Sequence, residues 1–286
     1  MDMKAWKLPA LGPAWRWVWL AWLLAAGIVL AWLIPRPVVG TIYVNTPIEA
    51  VSAREVIAQI DEARSNPQVR AVVLVLDSPG GTVADTEAVY LELARLRAAK
   101  PVVSTIGTMA ASGAYYLAVG SDYIFSMPTS QVGNVGVIGS LPPRPTVLED
   151  VASTGPYKLF GGPRDSFLRQ LEAVKAGFIQ AVSLGRGARL NLTPEEVARG
   201  EIYLGSDALR LGLVDALGGP SQAVAHAARM AHIAHYAVAD LRALAGLPAA
   251  LPVPFFYMAE DGRATAYPLE AGLFLLYVPP AEGRQP

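Results

Sequence analysis

The chain has 286 residues, and its 23 Lys and Arg against 24 Asp and Glu leave a formal net charge of −1. Balanced charge argues against a nucleic-acid partner, and the absence of cysteine excludes disulfides, thiol nucleophiles and Cys-ligated zinc. The three histidines, His226, His232 and His235, crowd into one late segment without a carboxylate pattern, so neither a metal nor a cofactor is expected.

Residues 1–13 carry Lys4 and Lys7, and 14–34 are apolar apart from Arg16. As a helix the apolar run spans roughly 31 Å, the thickness of a bilayer's hydrocarbon core. All six tryptophans lie at or before Trp32, with Trp15, Trp17 and Trp32 placed as interfacial indoles. Lys4, Lys7 and Arg16 precede the run and only Arg36 follows closely, which predicts a cytoplasmic N-terminus and an extracytoplasmic remainder. The run is long for a cleaved signal peptide and ends in Ile34-Pro35-Arg36-Pro37, so an uncleaved single-pass signal anchor is the expectation.

Val38–Val44 reads as a strand, and Ser52–Glu55 as a capping box opening a helix to about Asn66. The nearly continuous apolar run Val69–Leu76 fits a strand buried on both faces. It ends in the sharp loop Asp77–Gly81, before a helix over Thr82–Ala99 and a strand over Pro101–Thr105. Met109–Tyr116 (MAASGAYY) sets Ser112 among small residues, with Gly113 directly after it and a short helix beginning at Ala114. A serine at a helix entrance also fits a plain N-cap. Asp122–Ser126 is a short strand and Val132–Ile138 a Gly-interrupted one. Beyond the Pro-rich loop Leu141–Pro145 come a short helix at Thr146–Ser153 and a strand at Tyr157–Phe160. Helices follow at Ser166–Leu184, after the Thr193-Pro194 cap with Glu196, and at Asp207–Leu211. Gln222–Ala239 reads as one Ala-rich helix carrying all three histidines. The tail from Leu247 is Pro-rich and contains Gly272–Val278, an apolar stretch of strand length. Strand–helix alternation argues for βαβ units and a mostly parallel sheet.

Serine is a weak nucleophile and needs a base. A histidine triad assembled in space is one option, and a lysine is the other. Of five lysines, Lys4 and Lys7 precede the apolar run, Lys100 ends a helix and Lys175 lies mid-helix. Lys158 stands apart in Gly155–Gly162 (GPYKLFGG), between Tyr157 and Leu159-Phe160. A lysine base must be neutral, and burial lowers its pKa from near 10.4 by up to ~3–5 units. Gly80, Gly81 and Gly113 supply backbone N–H groups for an oxyanion. Arg186, between two glycines, is expected to pair structurally with Asp215.

Asp77–Gly81 (DSPGG), Met109–Tyr116, Gly133–Ile138 (GNVGVI), Gly185–Gly187 (GRG) and Gly212–Gly218 (GLVDALG) come in the order and spacing of the signal peptide peptidase A family. The chain resembles these Ser-Lys serine proteases, also called protease IV, from about Val38 to Tyr236. The resemblance implies an α/β fold like that of the Clp protease and crotonase superfamily, with stacked ββα units. It implies Ser112 as nucleophile, Lys158 as general base and an oxyanion hole from the second glycine of Gly80-Gly81 and Gly113. Asn134 stands where the family often has a lysine-orienting serine, and its carbonyl oxygen can still accept a hydrogen bond. The implied substrates are cleaved signal peptides and other membrane-associated peptides, handled by a homo-oligomer at the membrane. The organisation read from the chain is a cytoplasmic segment 1–13, an anchor 14–34, a catalytic domain 38–240 and a C-terminal extension 241–286. The alternatives are a peptidase acting on a stomatin-like membrane protein, a crotonase-like acyl-CoA enzyme and a non-catalytic binding scaffold.

Overall fold

The computed structural model describes residues 13–33, 35–144, 146, 152–249, 256–258, 264–266 and 273–276. The chain divides into two units, 1–36 and 37–286. The first contains helix α1 (Pro13–Leu33), which covers the expected apolar run shifted by one residue. Among the described residues no helix is long and apolar enough to cross a membrane; side chains at both ends of α1 lie outside that set.

The second unit begins with β1 (Val38–Val44), α2 (Ala50–Ser65), β2 (Val69–Ser78), β3 (Gly80–Thr82), α3 (Val83–Arg97) and β4 (Val102–Ala111). Next come α4 (Gly113–Ala118), β5 (Tyr123–Ser126), β6 (Gln131–Gly133), β7 (Ile138–Gly139), α5 (Arg164–Arg186) and α6 (Pro194–Val197). Then follow β8 (Ile202–Leu204), α7 (Gly205–Arg210), β9 (Ala216–Leu217), α8 (Pro220–Met230), β10 (Ala237–Asp240) and α9 (Leu241–Leu244). The tail contributes β11 (Phe256–Met258), β12 (Ala264–Ala266) and β13 (Leu273–Leu276).

Strands β10-β1-β2-β4-β5-β9 form a parallel sheet in that order. β6 pairs in parallel with the end of β4, and β8 pairs antiparallel with β6. β2 runs through the middle and alternates its side chains between two cores. Val72, Leu74 and Leu76 join Ile60 of α2, Leu93 of α3 and Phe178 of α5 on one face. Ala71 and Val73 join Ala223, Ala227 and Ala228 of α8 on the other. Cover on both faces explains why β2 is apolar at nearly every position. β2, β3 and α3 together make one ββα unit, and residues 37–286 form an α/β fold with a mostly parallel sheet.

Several elements differ from the sequence expectation. α2 starts at Ala50, and the Glu49 N–H donates to Ser52 Oγ at 2.9 Å, so Ser52 closes the first turn from inside instead of preceding it. The Ala-rich helix stops at Met230, His232 adopts φ 55°, and Ala237–Asp240 becomes a strand on the open edge of β1. Backbone groups of β1 need partners on both sides, and this demand outweighs the helical propensity of the alanines. Only His226 of the three histidines is therefore helical. Residues 157–160 form a turn and not a strand, with Lys158 N–H donating to Gly155 O at 3.2 Å and Gly161 N–H to Tyr157 O at 2.8 Å. Of the helix expected at Thr146–Ser153, residues 147–151 lie outside the described residues, and 146, 152 and 153 are not helical.

Candidate active site

β4 ends and α4 begins at Ser112, whose backbone takes φ 53° and ψ −119°. Non-glycine residues rarely occupy positive φ, and such strain gathers at functional sites. Ser112 holds the N-cap position, yet its side chain makes no capping bond. The N-cap reading therefore fails, and a strained strand-to-helix turn is the geometry that presents a nucleophilic hydroxyl. The corner is held from several directions. Ser112 N–H donates to Gly133 O on β6, and Tyr116 N–H to Ser112 O, both at 2.9 Å. α4 is buried throughout. Its Tyr116 ring packs 4.6 Å from Tyr90 of α3 and 4.9 Å from Phe178 of α5, and Tyr115 Oη donates to Leu213 O. A Cβ at Gly185 would lie 2.3 Å from Val119 O, so only glycine lets the end of α5 meet the end of α4.

The paired glycines open β3. A Cβ on Gly81 would sit 1.9 Å from Ile48 O, so this position admits no side chain. Ile48 N–H donates to Gly80 O at 2.8 Å and Thr82 N–H to Ile48 O at 2.9 Å, which fixes β3. Gly80 N–H donates to Ser78 Oγ at 3.2 Å. Of the three expected oxyanion donors, Gly80 N–H is thus already engaged, Gly81 is paired with Leu275 of β13, and Gly113 opens α4 directly after Ser112. Asp77, overlooked in the sequence, accepts from Met109 N–H and Thr108 Oγ1, both at 3.2 Å. It holds β4 where the β2–β4 register shifts, three residues before Ser112. An acid at the exit of a buried strand was the signal available for it.

Among the described residues no hydrogen bond joins Lys158 to Ser112. Tyr157, Lys158 and Leu159 are all exposed on their turn, and among the described residues no apolar enclosure surrounds the lysine. Among the described residues the Lys158 ammonium has no hydrogen bond or ion pair. Asn134, at φ 54°, gives its side-chain N–H to Gly200 O at 2.9 Å and its backbone N–H to Glu201 O at 2.8 Å. It makes no bond to Lys158.

The other candidate bases are committed elsewhere. Lys100 donates to Ala63 O and Asn66 O at the C-terminal end of α2. It precedes β4 while Ser112 follows it, a separation of roughly 30 Å along one strand. Lys175 pairs with Glu172 on α5. The His226 ring stacks 4.1 Å from that of Tyr123, and its Nδ1 lies 3.2 Å from Arg229 Nη2. Burial, then the Arg229 charge, lower its pKa. The Tyr116 phenol is pushed up to about 12 by burial, with Glu87 and Tyr90 adding to the shift, so it stays protonated. Lys4 and Lys7 lie outside the described residues, among which no cluster of three metal-ligating side chains occurs.

Residues 94–234 match the model of peptidase family S49, and residues 38–133 match that of Clp protease. Over residues 94–234 the chain is similar to peptidase family S49. It is 36% identical to Protease 4 of Salmonella typhi over 195 residues, covering 62% of this chain and 31% of the relative. It is 30% identical to the chloroplastic serine protease SPPA of Arabidopsis thaliana over 204 residues, 66% of this chain and 30% of that one. It is likewise 30% identical to Protease 4 of Haemophilus influenzae over 201 residues, 65% and 32% of the two chains. The chain spans about a third of the length of these relatives.

Two further motifs of the chain meet in one buried ion pair. Arg186 binds Asp215 through both terminal nitrogens, at 2.8 and 2.9 Å, with side chains only 2% and 4% exposed. Arg186 Nε donates to Gly212 O, Arg189 also reaches Asp215, and Asp215 accepts from Ile124 N–H. Burial alone would raise the Asp215 carboxyl, but the bonds and charge of Arg186, the Ile124 N–H and Arg189 outweigh it and hold it below its ordinary value. The pair pins α5 to the β5–β9 edge, which makes it a structural bond, as its sequence setting suggested.

Proposed function

We propose that this chain is a serine endopeptidase in which Ser112 is the nucleophile and Lys158 the general base. The observation that carries the reading is the strained, uncapped Ser112 at the β4–α4 corner. In the reaction, Ser112 Oγ attacks the scissile carbonyl carbon and gives its proton to Lys158 Nζ. The N–H groups of Gly81 and Gly113 stabilise the oxyanion. Collapse breaks the C–N bond, and the leaving amine takes the proton from Lys158. Water then hydrolyses the acyl-enzyme, its proton passing by the same lysine. Lys158 reaches Ser112 when its turn folds over the corner, in the same copy or from a neighbouring subunit, with Asn134 at the margin of the lysine's path.

The substrates are cleaved signal peptides and other membrane-associated peptides. α1 acts as an uncleaved anchor with the catalytic unit extracytoplasmic, supported by its 21 residues and by the basic residues before it. The catalytic unit is a homo-oligomer, and 241–286 is an extension beyond it. A crotonase-like acyl-CoA reaction would leave the strained Ser112 without a task.

The test is hydrolysis of a fluorogenic apolar peptide by the detergent-extracted full chain, compared with Ser112→Ala. Turnover by the wild type alone supports the reading; equal turnover by the variant refutes it. Retention of the wild type in alkali-washed membranes supports the anchor, and release refutes it.

A further inference from the structure

A cavity of about 380 Å³ opens at the carboxyl end of β1. None of Gly81, Ser112, Gly113 and Lys158 is among its described lining residues. Residues 43–49, which lead from β1 into α2, form one wall, and the first turns of α2 form another. Arg242, Pro248 and Ala249, which follow the parallel strand β10, close a third side. The carboxyl ends of parallel strands are where open α/β sheets hold ligands. Val44, Val56, Val89 and Leu117 give the cavity buried apolar surface.

Its polar groups are unequal. Arg242 Nη1 binds Glu55 Oε2 at 3.0 Å, an ion pair closed between α9 and α2. Gln59, one turn further along α2, is 1% exposed. Its Nε2 donates to Glu55 O at 3.1 Å, whereas its Oε1 is buried and accepts no hydrogen bond among the described residues. Buried polar groups are ordinarily paired, so an orphaned acceptor calls for a donor. The wall at 43–49 also holds β3. Ser78 Oγ donates to Thr46 O at 2.8 Å while accepting from Gly80 N–H. Ile48 N–H donates to Gly80 O, and Ile48 O accepts from Thr82 N–H. Whatever steadies residues 46–48 therefore steadies the strand that carries Gly81.

We infer that this cavity binds a small uncharged ring compound with one N–H donor, that Gln59 Oε1 accepts from that donor, and that occupancy steadies β3. The volume lies at the small end of ligand pockets, and mostly apolar walls with few placed polar groups are their usual make-up. The Glu55–Arg242 pair satisfies itself, so the cavity asks for no charge on its ligand. One orphaned acceptor asks for one donor. The site goes beyond the peptidase reading and uses none of its residues.

Indole is the probe, and 1-methylindole, which lacks only the N–H, is its control. Both are titrated calorimetrically into the detergent-extracted full chain, with a detergent blank subtracted. Indole should saturate one site per chain and bind about five- to tenfold more tightly than 1-methylindole, the worth of one buried hydrogen bond. Gln59→Leu keeps the bulk and removes the orphaned acceptor, and should bring the two probes to equal affinity. Hydrogen exchange at Gly80–Thr82 should slow severalfold in wild type saturated with indole. No saturable binding of indole, equal affinity of the two probes for wild type, or an indole preference that survives Gln59→Leu would overturn the site. Binding with unchanged exchange at Gly80–Thr82 would overturn its link to β3. No readout needs turnover, so failure of the peptidase reading would leave these results standing.

Discussion

The corner at Ser112 and the turn at Lys158 are opposite kinds of structure. Ser112 is 1% exposed, its backbone bonds are spoken for, and the helix after it is clamped by Tyr90 and Phe178. Among the described residues, Lys158 is exposed on a turn whose backbone bonds run within 155–161. Strain of the kind seen at Ser112 costs about 1–3 kcal/mol and persists only where the surroundings over-determine it. A buried corner between sheet and helices meets that condition; a peripheral turn does not. A base has a lighter requirement, since it needs only to arrive. On the proposed reading, Ser112 is prepared by folding, while Lys158 depends on a later movement or on assembly.

The largest expected effect is on activity, where the two regions should prove equal despite their unequal order. Ser112→Ala and Lys158→Ala should each lower kcat by on the order of 10⁴-fold or more, and the double variant should be no worse, because the pair acts as a unit. Lys158→Arg should be as inactive, since guanidinium does not give up its proton. Steady-state peptide hydrolysis checks all four, and additive losses would separate the two residues.

On stability the regions should part. Asp215→Asn leaves Arg186 buried without its counter-charge and should cost about 3–5 kcal/mol in denaturant unfolding. The wild-type contribution has a defined pH dependence. The folded carboxyl sits below its ordinary value, so its stabilisation is complete above the unfolded value near 3.9 and is lost as pH falls through the folded one. Acid titration of unfolding should show this slope in the wild type and lack it in Asp215→Asn.

A smaller effect separates two glycines. Gly81→Ala drives a Cβ to 1.9 Å from Ile48 O, and about 3 kcal/mol of stability should be lost, the upper range for overpacking. Gly155→Ala, beside Lys158, meets open space and should change stability by less than about 0.5 kcal/mol. Equal costs would mean that the Lys158 turn is packed in solution. The smallest effect is expected at His226→Ala, which should leave turnover unchanged and cost about 1 kcal/mol of ring packing against Tyr123.

Much of this was legible in the residues themselves. The Val69–Leu76 run announced a strand covered on both faces, and small residues around Ser112 announced a tight corner. Arg186, between two glycines, suggested a structural ion pair with Asp215, and the structure makes that pair. Other features depend on partners far along the chain. The alanines after Gln222 carry a helical pattern, and nothing local says that the edge of β1 claims Ala237–Asp240. The engagement of Gly80 N–H hangs on one Ser78 rotamer. The tail stretch had a strand's length and composition, but its place between β3 and β7 is a tertiary choice. Burial of Lys158 was expected from its apolar neighbours, of which Tyr157 and Leu159 are exposed with it and Phe160 is half-buried.

The central claim is that a corner strained by folding makes Ser112 the nucleophile and that Lys158 completes it. Labelling of the full chain with a fluorophosphonate, followed by peptide mapping, tests both halves. The account predicts one adduct, on Ser112, formed at least about 100-fold more slowly in Lys158→Ala, the loss typical of removing a general base. An adduct on another residue, or Ser112 labelled at the wild-type rate without Lys158, would contradict it.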